Sequence, residues 1–207
     1  MQDAVDGFRE TLTQRKDDAL AVYGLGRADG NLGRLDDARQ QFARYIALRP
    51  DDPSGYCSLG ITLAALDHPE EARKQFVRSI ALSPEQTEAY FRLGVLQLNA
   101  NNLDLARTDL QHVIAHDPKH AGALSSLGRV EFQQKHYAEA LELLGHAVAS
   151  DDSLREAHYY LGLTYSRLGQ KSESDREFQR ATQLEREDTE KRKTLRNKLD
   201  LPAASAR

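Results

Sequence analysis

Tryptophan is absent from this 207-residue chain, cysteine and methionine occur once each, and proline only six times. A single cysteine, Cys57, rules out an internal disulfide and leaves the redox compartment open. No apolar run approaches the roughly 18 residues that span a bilayer, and the N-terminus lacks the apolar core of a signal peptide. A soluble chain is therefore expected, with the cytoplasm as the default compartment. The basic excess of a nucleic-acid scaffold is missing too: 28 Lys and Arg face 32 Asp and Glu, a net charge of −4. Neither nucleic acid nor a membrane surface is an expected partner. There is no Gly-rich phosphate loop, no paired catalytic carboxylates and no nucleophile elbow, so neither an enzyme nor a cofactor is expected. What remains, 40% hydrophobic and 29% charged with 13 Gly, is the composition of a folded helical protein.

The chain repeats itself with a period of 34 residues. Glycines fall at 26, 60, 94, 128 and 162, each preceded by leucine: Leu25, Leu59, Leu93, Leu127 and Leu161. A small residue recurs as Ala38, Ala72, Ala106, Ala140 and Ser174, and a bulky one four positions later as Phe42, Phe76, Leu110, Leu144 and Phe178. Glycine inside a helix costs about 1 kcal/mol relative to alanine, so five in register need a packing reason. The reason expected is close passage of a partner helix, with the small residue supplying the other side of the contact. Turn chemistry separates the two helices of each pair, as in Asn31-Leu32-Gly33-Arg34, Asp67-His68-Pro69 and Asn101-Asn102, and acids follow at once in the first turn of the second helix.

These residues mark repeats at 19–52, 53–86, 87–120, 121–154 and 155–188. Residues 1–18 are expected to be the second half of an earlier repeat, with Ala4, Phe8 and Leu12 on one helical face, its first half lying upstream or the helix itself serving as an N-terminal cap. Because Met1 directly precedes a sequence already in mid-repeat, a piece of a longer protein is expected. Proline closes the earlier repeats but gives way to Asp152 and Arg186 in the fourth and fifth, where helix ends should be softer or extended. Residues 189–207 are expected to form a capping helix, with Leu184, Leu195 and Leu199 as the apolar residues around it, and a frayed tail from 201.

With its Leu-Gly early, Ala and Phe in the second half and Pro near the end, the pattern resembles the tetratricopeptide repeat family. The resemblance implies an all-α fold, a right-handed α-α superhelix of five helix-turn-helix repeats plus the partial N-terminal repeat and the C-terminal cap. It implies a non-catalytic protein-protein interaction scaffold, holding a peptide or a partner helix in a groove walled by the first helices. Counting by 34, the wall takes Leu20, Tyr23, Arg27 and Asn31 from the first repeat and Ser54, Cys57, Ile61 and Ala65 from the second. The third supplies Phe91, Arg92, Val95 and Asn99, the fourth Ser125, Ser126, Arg129 and Gln133, and the fifth Tyr159, Tyr160, Leu163 and Arg167.

Guanidinium groups bind carboxylates in bidentate fashion and stack on aromatics, so a partner with acidic and apolar side chains is expected. The two-carboxylate clamp that some family members use for chaperone tails is not expected, because Glu88 would repel a carboxylate. Two other roles stay open. One is a substrate-recruiting region of a larger enzyme such as a glycosyltransferase or protease; the other is a homo-oligomer assembled through the terminal half-repeat. His112, His116 and His120 have the spacing of metal ligands, but Pro118 breaks the helix and surface histidines are expected instead. Cys57, on an apolar wall, should be inert. Gly94→Leu should disrupt helix pairing, and His112→Ala should be nearly neutral.

Overall fold

The computed structural model describes residues 2–198, with side chains to residue 194. Among them are eleven α-helices and no strand. The chain divides into two compact units, Met1–His116 and Asp117–Arg207. The first holds α1 (Gln2–Gln14), α2 (Ala19–Asn31), α3 (Leu35–Leu48), α4 (Pro53–Ala65), α5 (Pro69–Leu82), α6 (Thr87–Asn99) and α7 (Leu103–His116). The second holds α8 (Ala121–Gln133), α9 (Tyr137–Ser150), α10 (Arg155–Arg167) and α11 (Lys171–Lys198). Leu199 and the tail beyond it lie outside the described residues.

In both units the core is made of the recurring positions. The five leucines that precede the glycines are 2–9% exposed, and Ala38, Ala72, Ala106 and Ala140 are fully buried. The glycines do admit a partner helix, and it is mainly the bulky row that meets them; of the small row, Ser174 Oγ donates to the Gly162 carbonyl at 2.8 Å. A Cβ at Gly60 would lie 2.6 Å from Phe76 Cε1, one at Gly94 2.9 Å from Leu110 Cγ, and one at Gly128 2.6 Å from Leu144 Cγ. The bulky residue thus lies over the glycine, filling the space that a side chain would take. Ala38 instead faces Gly30, one turn further along α2, 3.8 Å from where a Cβ there would stand. Glycine is matched to the large side chain because a core at crystal-like density leaves no room for both.

At every turn within a pair the same backbone device stops the first helix. Residues 33, 67, 101, 135 and 169, one period apart, all have positive φ: Gly33 at 75°, Asp67 at 62°, Asn101 at 60°, Lys135 at 67° and Gly169 at 77°. The next residue's N–H reaches back to a carbonyl five positions earlier, as in Arg34 to Asp29 at 2.9 Å and His136 to Glu131 at 2.9 Å. This is the Schellman arrangement, which satisfies the last carbonyls of a helix. Side chains reinforce it at three of the five turns. Arg34 pairs with the buried Asp29 at 3.4 Å, Asn102 Nδ2 donates to Gln97 Oε1 at 3.0 Å, and His136 Nδ1 lies 2.8 Å from the buried Glu131.

Three of the five first helices are capped by the side chain at a shared position, which Gln86 and Leu154 hold without capping in the other two. Asp18 accepts from Ala21 N at 3.0 Å, Asp52 from Ser54 N at 2.8 Å and His120 Nδ1 from Ala123 N at 3.0 Å. His120, considered above beside the metal-spaced histidines, is thereby a helix cap. In the N-terminal half-repeat Val5, rather than Ala4, completes the buried face with Phe8 and Leu12; Ala4 is exposed.

The two repeat ends without proline behave differently. α9 stops at Ser150 because the Asp151 carboxylate turns the chain, accepting from Ser153 N at 2.9 Å. No such break follows the fifth repeat. The expected cap is no separate element: α11 runs for 28 residues through Asp188, since nothing there halts a run of helix-forming Glu, Lys and Arg.

A left-handed conformation costs a side-chain-bearing residue about 1 kcal/mol, a penalty that glycine escapes. Lys135→Gly should therefore stabilise the fold by about 1 kcal/mol, read as a higher denaturant midpoint at unchanged m-value. A lower midpoint would show that the turn does not need this conformation.

Candidate functional site

In the first unit, α2 packs on α4 and α4 on α6, placing the first helices of three repeats side by side. Two cavities open on this face. One, of about 480 Å³, has Arg27 and Asn31 of α2, Ser58, Ile61 and Ala65 of α4, and Arg92 of α6 in its walls. The other, of about 540 Å³, lies over Ile61, Ala65, Phe76 and Val95, with Arg92 and Asn99 at its polar side. They share Ile61, Ala65 and Arg92, so apolar side chains of α4 and a guanidinium group line both. Arg27 and Arg92 are thus brought to one cavity, and Arg92 and Asn99 to the other, with Ile61 and Ala65 of α4 lining both.

Arg92 and Arg27 are in different electrostatic states. Arg92 Nε donates to Glu88 Oε1 at 2.6 Å, one helical turn away, and its guanidinium lies 5.4 Å from the centre of the Phe91 ring. Arg27 is exposed, and no carboxylate pairs with it among the described residues.

Position five of each first helix, expected on the wall throughout, is sorted by side-chain size. Cys57 and Ser125 are buried, 4% and 7% exposed, because small groups fit between neighbouring helices. Phe91 is half-buried and Tyr159 is 44% exposed, because an aromatic ring does not fit there. Tyr23 is turned into packing instead: its ring lies 5.6 Å from Phe42 and 4.8 Å from Tyr45, and its hydroxyl shares a 3.0 Å hydrogen bond with Ser58. Leu20 is 76% exposed on the same helix.

In the second unit, the expected residues are held by one another. Arg129 Nη1 donates to Glu156 Oε1 at 2.9 Å, and the guanidinium lies 5.6 Å from the Tyr160 ring centre. Tyr160 packs edge-on against Phe132 and Tyr159, whose ring also meets Phe178 at 5.9 Å. Gln133 and Arg167 are exposed on α8 and α10. Sequence reasoning missed Glu156, although it stands in the second position of its repeat, as Glu88 does in the third.

His112 is not the solvated surface residue expected. Its ring stacks on Tyr90 at 3.8 Å and 26°, and its Nε2 is buried. His116 follows one turn later, with Nδ1 2.9 Å from the His112 carbonyl and Nε2 3.2 Å from Glu85. These contacts, the carbonyl first, raise its pKa. Among the described residues no group of three metal-ligating side chains is assembled, and no helix is long and apolar enough to cross a membrane.

The geometry defines a helical repeat protein built of helix-turn-helix pairs, with its candidate site on the first helices. The sequence profile of the tetratricopeptide repeat matches residues 2–53, 57–111, 96–154 and 126–187. The chain belongs to the tetratricopeptide repeat family. Solved structures with this fold include MamA from Desulfovibrio magneticus RS-1, 24% identical over 82% of this chain and 96% of that one, with a TM-score of 0.70. Another is YrrB, a TPR protein with an unusual peptide-binding site, 18% identical over 87% of this chain and 93% of that one, with a TM-score of 0.68. The Cut9–Hcn1 hetero-tetramer of APC/C also matches, at 18% identity and a TM-score of 0.81 over 88% of this chain and 36% of that one. No curated protein matches the chain.

Burial, and after it the Glu88 carboxylate, push the Cys57 thiol up to about 11, against the opposing charge of Arg92. Iodoacetamide at pH 8 should leave Cys57 unmodified in the folded protein and alkylate it on unfolding, and rapid native labelling would contradict the burial. Loss of the Tyr90 stack should make His112→Ala less stable than the parent by about 1 kcal/mol in denaturant unfolding.

Proposed function

We propose that the chain is a non-catalytic scaffold that binds a partner protein, through an extended peptide or a helix of that partner, on the first-helix face of the three repeats 19–52, 53–86 and 87–120. The segment recognised carries acidic and apolar side chains together. The observation that carries this reading is the pair of cavities that share Ile61, Ala65 and Arg92, with Arg27 in the wall of one and Val95 in the wall of the other. Apolar side chains of a ligand would gain roughly 25 cal/mol for each Å² withdrawn from water there. A carboxylate beside them would meet guanidinium donors in the geometry they favour. Asn31 and Asn99 offer amides to a peptide backbone, and the exposed Leu20 extends the apolar surface on α2. YrrB, with the same fold, has a peptide-binding site, which supports peptide recognition as the mode.

The alternatives weighed on sequence, recruitment of substrate for an enzyme and assembly with a second copy, use binding as well. They differ in what is bound, and a selection from random peptides identifies that directly. Parent protein should enrich acidic-apolar peptides, and Arg27→Glu should lose them while keeping its helical circular dichroism. Enrichment of basic or purely polar peptides, or enrichment indifferent to Arg27, would remove this face as the site.

A further inference from the structure

The two arginines of the first cavity differ in one respect that bears on how a ligand enters. Arg92 already holds a carboxylate, since Glu88 Oε1 sits 2.6 Å from its Nε. Arg27, in the wall of the same cavity, pairs with no carboxylate among the described residues. Glu88 is on the first turn of α6, where its charge also interacts favourably with the helix dipole. Both partners are 44% exposed, within reach of an incoming group. The second unit holds a counterpart: Glu156, in the same repeat position as Glu88, is 2.9 Å from Arg129.

Resting on the proposed function, we infer that Glu88 is an intramolecular occupant of the site, a built-in competitor for the ligand carboxylate at Arg92. An acidic ligand engages Arg27 first and gains Arg92 only by displacing Glu88. This lowers affinity for anything with a single isolated charge. It favours a carboxylate placed to bridge the two guanidinium groups, because only a bridging group recovers what is lost in breaking the Arg92–Glu88 pair. An exposed one-turn ion pair is weak, which makes displacement by a ligand feasible. The like charge left beside the ligand adds to the penalty.

The test uses a fluorescent peptide of alternating aspartate and leucine, and its asparagine-leucine analogue, titrated against the intact chain at low ionic strength. Glu88→Gln should bind the acidic peptide about three- to tenfold more tightly than the parent, an effect of the size expected for one partly exposed charge. It should leave binding of the neutral analogue unchanged. In an Arg92→Ala background the same substitution should yield a smaller gain, since its competitor's target is gone. Equal binding of the acidic peptide by parent and Glu88→Gln would overturn the inference, as would equal tightening of both peptides or an undiminished gain without Arg92. If those results came from a protein that still enriched acidic-apolar peptides through Arg27, the proposed function would stand without this refinement. Were neither peptide bound and the random selection empty, both would fall together.

Discussion

Everything in this structure depends on how closely the two helices of a pair can approach. Glycine on one helix receives Phe or Leu from the other, at distances where a single added carbon would collide. Exchanging the partners would not preserve the contact, because the bulky residue also completes the buried row beside the leucines. Five such contacts, one per period, hold the pairs at a common geometry. A repeat fold has no central core to compensate for a failed contact, so each pair needs its own.

The turns preserve what that contact sets up. A residue with positive φ and a carbonyl satisfied from five positions onward end each first helix at the same place. The helix termini are therefore in register, and the last residues of the first helices, Asn31 and Asn99 among them, are delivered to one face of the first unit. Glycine serves at two turns, and Asp67 and Asn101, whose side chains tolerate this conformation, at two more; only at Lys135 is it imposed on a residue that resists it.

On that face the framework leaves space unfilled. Ser58, Ile61 and Ala65 of α4 line a cavity whose walls also hold Arg27 of α2 and Arg92 of α6. Their charges are balanced unevenly, Arg92 by Glu88 within one helical turn and Arg27 by no carboxylate among the described residues. In the second unit the arginine is more enclosed: Arg129 is 22% exposed, held by Glu156 and covered by Tyr160. The same residue type is thus exposed in one unit and absorbed by packing in the other.

The sequence by itself determined the helix count in each repeat, the pairing of helices, the positions of the turns and the buried rows. Those depend on interactions within one period, and five copies in register make the signal unmistakable. Helical periodicity also assigned a direction to Arg27, Arg92 and Asn99 on their first helices, since it fixes direction once the packed face is known. Only the tertiary structure decided which of the named residues remain available. Tyr23 turned inward onto Phe42 and Tyr45, Cys57 and Ser125 were small enough to be buried, and His112 found Tyr90. It also decided that α11 would continue where a new cap was expected, and that Glu156, on α10, would hold Arg129 of α8. Those outcomes turn on side-chain size and on neighbours from other repeats, and a one-dimensional period records neither.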